Sequence, residues 1–446
     1  MNPFTHIGRL IRHSATGPVR LPAPLSWRML TRDPAAAVQR AILMEYLKTG
    51  STASRLLTLG IALLFWPFRT FTQAMRLTRQ VGEEVSHIRS RPAQFFQQLW
   101  LAWFHGISPT MYYEMGVAVQ TEKHPVMSWL QDGHASLLSR VFRSEKSLPE
   151  LNDKLLFAKL MSANGVAVPP TLAVFDDGRL VGSSDQVFLT TVAEQPGLFV
   201  KPVRSSGGRD TILIDRRSAK CAWYSLSPRS SPALLEIFDD GDSAEIDLGA
   251  LPQRLARFSR FQRILVQPYL KNHAVITQIA PSRALAAIRL LSGFNSGGTS
   301  LLRAIIFLPT GNAIISQYAY TAPVRLDSGF LGKIFFQSGS QKDLECFPGS
   351  NIRLEEFRVP HWRRVRRLIE KAHGVLADYP FVAWDVAVTD SGPVLLEANG
   401  NFATACLQKS ESTPLIDDQF LSIFRHWAQK GVIQGRRLAE TGIENP

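Results

Sequence analysis

Cysteine is scarce in this chain: its 446 residues include only Cys221, Cys346 and Cys406, far apart and without a CxxC pair. That excludes a disulfide framework and a cysteine-built zinc site, and it fits a reducing cytoplasm. Acidic residues are scarce at one end. Residues 1–100 hold thirteen Lys/Arg against four Asp/Glu, whereas the other 346 residues hold 37 against 33. The net charge of +13 is therefore mostly an N-terminal property. Its natural neighbours are anionic (inner-leaflet lipid, nucleic acid or an acidic polymer), with a plain solvated basic face as the alternative. Long apolar runs are also missing. The stretch from Met1 to Arg9 lacks the apolar core of a signal peptide. One uncharged run, Leu56 to Phe68, lies between Arg55 and Arg69. As a helix it would rise only about 20 Å, short of a hydrocarbon core of about 30 Å. It reads as a buried or interfacial helix, not a span.

What is present is a large apolar content, 45%, which excludes a disordered chain and supplies cores for two or three domains. Residues 1–35 are rich in Pro and Arg and lack periodicity. Residues 36–104 read as helical in four pieces: 36–48, the apolar run, 71–90 and 92–104. From residue 151 the texture alternates between helix and strand. Asn152 is placed to cap a helix that Gly165 stops. Strands are expected at 198–202, 211–214, 264–270, 284–291, 301–308 and 313–320. A basic amphipathic helix over 359–378 precedes a final hairpin, and a helix over 417–430 closes the chain. Strands in runs with helices between them indicate an α+β fold of small domains.

The hairpin is the most informative stretch: Trp384-Asp385-Val386-Ala387-Val388, a Thr-Asp-Ser-Gly-Pro turn, then Val394-Leu395-Leu396-Glu397-Ala398-Asn399. Alternation puts Val382, Trp384, Val386, Val388, Val394, Leu396 and Ala398 on a core face. It puts Ala383, Asp385, Ala387, Leu395, Glu397 and Asn399 on the other. Centred on Ser391, the hairpin sets Asp385 opposite Glu397. Like charges there destabilise a sheet, unless a cation lies between them; two carboxylates and an amide suit Mg²⁺. Upstream, Lys201 ends a strand before Ser205-Ser206-Gly207-Gly208, where glycines let backbone N–H groups approach phosphate oxygens. Lys154 stands in a helix's first turn, an unfavourable place for a cation unless it has a task. Gln267-Pro268-Tyr269-Leu270 offers backbone donors and acceptors at a strand exit, suited to a planar base. Arg289, mid-strand among Ala and Ile, needs either a phosphate, a substrate carboxylate or an acid of the next strand. No convincing Ser/His or Cys/His set is present, and His273, His361 and His373 read as structural or surface residues.

Taken in order, these features resemble the ATP-grasp superfamily, and within it the sugar-transfer-associated ATP-grasp family. The resemblance runs from about residue 100 to 430 and is most specific at Asp385 and Glu397-Ala398-Asn399. It is supported upstream by Gly106-Ile107-Ser108-Pro109, Tyr112-Tyr113 and Leu151 to Thr171. It implies two α+β subdomains clasping ATP, preceded by a mainly helical basic region. The divisions expected are 1–105 for the basic region, 106–195 for an N-terminal linker part, 196–275 for the lid subdomain, 276–430 for the metal-binding subdomain and 431–446 for a tail. It further implies that Lys154, Lys201 and the lid residues Ser205, Ser206, Gly207 and Gly208 contact ATP phosphates. Gln267, Tyr269 and Leu270 would hold adenine, Arg289 would act with Lys201 at the reacting groups, and Asp385, Glu397 and Asn399 would ligate Mg²⁺, with two ions expected. Between Asn295 and Gly332 the sequence departs from the family pattern, so the acceptor side is not carried over.

The activity so implied is an ATP- and Mg²⁺-dependent ligase that activates a carboxylate as an acylphosphate for an amine or similar nucleophile. The context is polysaccharide or cell-envelope biosynthesis. A kinase acting on a hydroxyl and a non-catalytic membrane- or polymer-binding protein are the alternatives. The substrate is expected to be a small molecule or glycan-linked. The location expected is cytoplasmic, with peripheral contact to the inner membrane face through residues 1–100 left open; nucleic acid is not an expected partner.

Overall fold

The computed structural model describes residues 20–83, 86–119, 124–142, 151–205, 208–217, 220–225, 231, 234, 237–238, 245–309, 319–336 and 344–433. It is a mixed α+β structure with a helical N-terminal region. Helix α1 (Pro34–Lys48) begins where Asp33 accepts a hydrogen bond from Ala35 N at 2.8 Å. Then come α2 (Thr52–Gln80), α3 (Arg91–His105), α4 (Pro109–Glu114), α5 (Asp132–Val141) and α6 (Lys154–Ala163). The alternating part follows as β1 (Ala173–Asp176), β2 (Arg179–Leu180), α7 (Asp185–Ala193), β3 (Gly197–Pro202), β4 (Ile212–Arg217), β5 (Lys220–Ser225), β6 (Glu245–Asp247), α8 (Leu251–Ser259) and β7 (Ile264–Pro268). The last third contains α9 (Ala274–Ile279), β8 (Ala287–Asn295), β9 (Gly298–Pro309), β10 (Ala319–Pro323), β11 (Phe335–Phe336), α10 (Trp362–Val375), β12 (Phe381–Thr389), β13 (Gly392–Asn399), α11 (Thr404–Glu411) and α12 (Asp418–Ile433).

Two antiparallel sheets result. The first has the order β2-β1-β7-β3-β4-β5-β6 and takes strands from Ala173 to Pro268, across the division expected at residue 195. The second has the order β11-β10-β9-β8-β12-β13. The first packs its apolar side on α7 and α8 through Phe188, Leu255 and Phe258. The second is covered on both sides. Trp384, Val386 and Ile288 face Val365 and Ile369 of α10, while Ala383, Leu291 and Phe307 face α1, α5 and α12. Burial on both faces is why β12 reads as a nearly continuous apolar run.

Several expectations need correction. The apolar run and the segment after it form one helix, α2, with Pro67 inside it; the helix ends at Gln80 rather than Ser90. Pro67 is on an exposed face. The Thr70 hydroxyl donates to the Trp66 carbonyl at 2.7 Å and reaches the Pro67 carbonyl at 3.0 Å. Asp153, not Asn152, caps α6, its carboxylate accepting from Leu155 N and Leu156 N at 3.1 Å each. Most of the strand expected at 313–320 lies outside the described residues, as do Ser206 and Gly207.

The hairpin holds the most consequential correction. The turn is tight, Thr389 pairing with Gly392. That register would set Asp385 against Leu396. One extra residue, Leu396, sits between the pairs Val386↔Leu395 and Asp385↔Glu397, a β-bulge. The bulge resets the phase. Leu395 is therefore a core residue, and Leu396 turns to the opposite side, the reverse of simple alternation.

Left-handed backbone and close packing coincide at Gly329, which has φ +81° and where an added Cβ would lie 2.5 Å from Trp362 Cγ. Trp362 is a core side chain of α10. Gly329→Ala combines left-handed strain with overpacking and is expected to cost about 2–4 kcal/mol. A urea titration followed by tryptophan fluorescence measures it; a midpoint unchanged from the parent would contradict this account of the turn.

Candidate active site

A cleft of about 570 Å³ lies between the two sheets. From the first sheet it is lined by Lys201 on β3, Gln267 and Pro268 on β7, and Tyr269 and Leu270 just beyond. From the second it is lined by Arg289 on β8, Asp385 on β12, and Glu397 and Asn399 on β13. Lys154, Ser205 and Gly208 close one side. All the described residues singled out in the sequence for nucleotide, metal or catalysis thus line one cavity.

The second sheet presents a charged row across three strands. Arg289 pairs in register with Asp385, and Asp385 with Glu397. The Arg289 guanidinium is bidentate on Asp385: Nε donates to Oδ1 at 2.8 Å and Nη2 to Oδ2 at 2.7 Å. Of the partners the sequence left open, the acid of the neighbouring strand is the one the structure shows. The pair is nearly closed to solvent, and Arg289 Cζ lies 5.5 Å from the Phe307 ring centre. Burial raises the Asp385 carboxyl to about 6 against the pull of Arg289. Burial would also raise Glu397, but its hydrogen bond with Asp385 and the charges of Lys154 and Lys201 outweigh this and bring it below the ordinary range. Asn399 donates to Glu397 Oε1 at 3.2 Å.

The first sheet answers with cations. Lys201 is buried, and desolvation lowers its ammonium to about 8 although Glu397 pulls it up; Lys154 adds to the lowering. Lys154 is likewise lowered by burial, opposed by Glu397 and Asp153. Its Nζ donates to the Ser205 carbonyl at 2.5 Å and its backbone N to Val203 O at 3.1 Å. These bonds tie the start of α6 to the loop after β3. Two desolvated ammonium groups facing one carboxylate leave a net positive wall, the electrostatics a polyphosphate needs.

The donor set fits a hard divalent ion. Asp385, Glu397 and Asn399 supply carboxylate and amide oxygens on one side of a bulged hairpin; Ala383 and Ala387, expected to leave room there, are instead fully buried and do not line the cleft. Among the described residues no group of three or more His, Cys, Asp or Glu has metal-site geometry, so an ion here would rely on the amide and on phosphate oxygens for its remaining ligands. Gln267 lines the cleft while its amide donates to the Pro169 carbonyl at 3.3 Å, and the Tyr269 hydroxyl donates to the Arg283 carbonyl.

Sequence reasoning missed other lining residues, among them Asp132, Arg283, Leu396 and Asn401. Asn401 follows Asn399 by two residues and was within reach of the same reading. Leu396 was hidden by the bulge. Asp132 lies far upstream; its Oδ1 accepts from Thr404 Oγ1 and Ala405 N, both at 2.8 Å, and so caps α11 from another helix. No local signal marks such a partner. His373 is structural as expected, with Nδ1 2.7 Å from Ser292 Oγ and Nε2 3.0 Å from the Tyr379 carbonyl.

The model of the sugar-transfer associated ATP-grasp family matches residues 134–417. Among curated proteins no sequence matches. Among solved structures, the chain is similar to the D-cycloserine synthetase DcsG, with 17% identity and TM-score 0.34 over 66% of this chain and 76% of that one. It is similar to the D-alanine–D-alanine ligase of Coxiella burnetii, with 12% identity and TM-score 0.36 over 68% and 67%. It is similar also to the ATP complex of the Bacillus anthracis D-alanine–D-alanine ligase, with 13% identity and TM-score 0.35 over 64% and 69%.

Removing Arg289 alone leaves Asp385 buried without its partner. Arg289→Met is expected to lose about 3 kcal/mol of stability, and Arg289→Met with Asp385→Leu to recover most of it. Urea unfolding without nucleotide measures both; an additive loss in the double variant would deny that the two charges are coupled.

Proposed function

The chain belongs to the sugar-transfer associated ATP-grasp family, and we propose that within it the protein is an ATP- and Mg²⁺-dependent ligase that joins a carboxylate to an amine or similar nucleophile. The observation that carries this reading is the Arg289–Asp385–Glu397 row facing Lys154 and Lys201 across one cleft. The base of ATP would lie at the Gln267–Leu270 end. Its phosphates would run between the two lysines and Glu397. Asp385, Glu397 and Asn399 would hold Mg²⁺, which when bound neutralises charge on the phosphate oxygens. Arg289 fixes the orientation of Asp385 by its two hydrogen bonds.

In this reading a substrate carboxylate oxygen attacks the γ-phosphorus. The new O–P bond forms as the bond to the β-phosphate oxygen breaks, giving an acylphosphate and ADP. The amine then adds to the acyl carbon, phosphate leaves, and an amide results. Lys201 and Lys154 counter the charge that spreads over the phosphoryl oxygens during transfer. No protein nucleophile is required. The one cysteine close to Arg289, Cys406, is buried with its thiol pushed up to about 12, and it donates to the Ala403 carbonyl at 3.1 Å. It is not poised to attack. The family's description supports an acceptor from polysaccharide or cell-envelope biosynthesis.

Glu397→Gln keeps the shape of the row and removes a carboxylate. It is expected to lower ADP formation at least about a hundredfold and to weaken the thermal stabilisation conferred by Mg²⁺ with ATP. The assay pairs candidate acids and amines, together and singly. Phosphate release with a new amide supports ligation; a stable phosphoester on a hydroxyl would replace it by a kinase; undiminished turnover would refute the metal assignment.

A further inference from the structure

The hairpin of α2 and α3 carries large apolar residues on its outward face as well as on its buried one. On α2 the buried stripe is Leu59, Trp66, Thr70, Ala74 and Thr78. The outward stripe is more apolar: Leu64 is 76% exposed, Phe68 71%, and Phe71 and Met75 follow. On α3 the buried side mixes Leu99, Leu101 and Ala102 with two glutamines. Gln94 and Gln98 are 0% exposed, whereas Phe96 is 67% exposed and Trp100, Trp103 and Phe104 are also turned outward. Both amide nitrogens donate inside, and Gln94 Oε1 accepts there, while Gln98 Oε1 has no partner among the described residues. Gln98 Nε2 donates to Thr78 Oγ1 at 2.9 Å and Gln94 Nε2 to the Gly82 carbonyl at 2.9 Å. Tyr113 OH donates to Gln94 Oε1 at 2.8 Å.

The two outward faces are one surface. Trp66 Nε1 donates to the Ala102 carbonyl at 2.7 Å and Trp103 Nε1 to Thr70 Oγ1 at 2.9 Å. The Phe71 and Phe95 rings lie 5.5 Å apart, edge to face. A soluble helix places its apolar stripe on the core and its polar residues in water; a large contiguous apolar patch marks an interaction site. The charges select the partner. Within α2 and α3 stand Arg55, Arg69, Arg76, Arg79 and Arg91 and no acid. Aromatic and aliphatic side chains flanked by arginine are what an anionic lipid interface receives.

We propose that the α2–α3 face docks on an anionic membrane surface, lying in the interface plane with Leu64, Phe68, Phe96 and Trp103 entering the headgroup–acyl boundary. It lies on the membrane and does not cross it. No single helix among the described residues is long and apolar enough to span. The bent pair α1 and α2 passes by length and composition, but α1 buries Ala36, Val38 and Ile42 in the core against α12.

Flotation of the full chain with vesicles tests this, comparing phosphatidylcholine alone with equal parts phosphatidylcholine and phosphatidylglycerol. Binding is expected to the mixed vesicles, weaker with added salt. Phe68→Glu with Phe96→Glu is expected to reduce it at least about tenfold. Both side chains face outward, so the thermal midpoint and its shift by Mg²⁺ with ATP should match the parent. Arg76→Gln with Arg79→Gln should narrow the preference for the anionic vesicles. No flotation of the parent, or undiminished flotation of the Phe variant, overturns the proposal. A chain that sediments as a dimer, made monomeric by the same Phe variant and never bound to vesicles, assigns the face to a second copy instead.

Discussion

One buried ion pair organises the cleft. Asp385 cannot remain charged inside the second sheet without Arg289, and Arg289 cannot sit mid-strand among alanine and isoleucine without Asp385. Their side chains meet because β8 and β12 pair with these two residues in register. The bidentate bonds then leave Asp385 with a fixed plane. Such a pair contributes little net stability compared with apolar residues of the same volume. Its value lies in orientation: it sets a carboxylate beside Glu397 at a defined angle, where a flexible acid would spread over several rotamers.

The bulge at Leu396 is the second constraint, and it is a matter of counting. A two-residue turn fixes the pairing near Thr389 and Gly392. A regular ladder from there would bring Leu396, not Glu397, opposite Asp385. The extra residue restores Glu397 to that place while keeping Leu395 in the core. Bulges re-aim side chains beside functional sites, and here the re-aimed group is the carboxylate that both lysines feel. The lysines come from an independent sheet and from the first turn of α6, so the cleft's electrostatics depend on the two sheets being held face to face.

These facts explain what was legible in the chain. Residue types with a strong chemical cost could be read directly: opposed acids on a hairpin, a lysine closing a strand before a glycine loop, an arginine inside an apolar strand. The fold class was legible because strand and helix patterns are local. The opposition of Asp385 and Glu397 follows, in the sequence, from a turn centred on Ser391, and it holds for a different reason, the bulge. Simple alternation therefore exchanges Leu395 and Leu396. The partner of Arg289 stays open among three choices, because strand order is a long-range property that spacing does not carry. Asp132 gives no signal at all: its role as the cap of α11 joins residues more than two hundred positions apart.

The N-terminal hairpin illustrates the limit of pattern reading in another way. An amphipathic period locates an apolar face but does not say which way the face points. On apolar area alone, the arrangement with Phe68 and Phe96 outward and Gln94 and Gln98 inward is the costlier one, since burying a phenylalanine gains more than burying an amide. What holds it is a set of directional bonds: Gln98 to Thr78, Gln94 to Gly82 and Tyr113, Trp66 to Ala102, Trp103 to Thr70. Rotating α3 to bury Phe96 would break every one of them and leave the Thr78 and Tyr113 hydroxyls without these partners. The polar interior thus acts as a register lock, and the apolar exterior becomes favourable once an apolar phase lies against it.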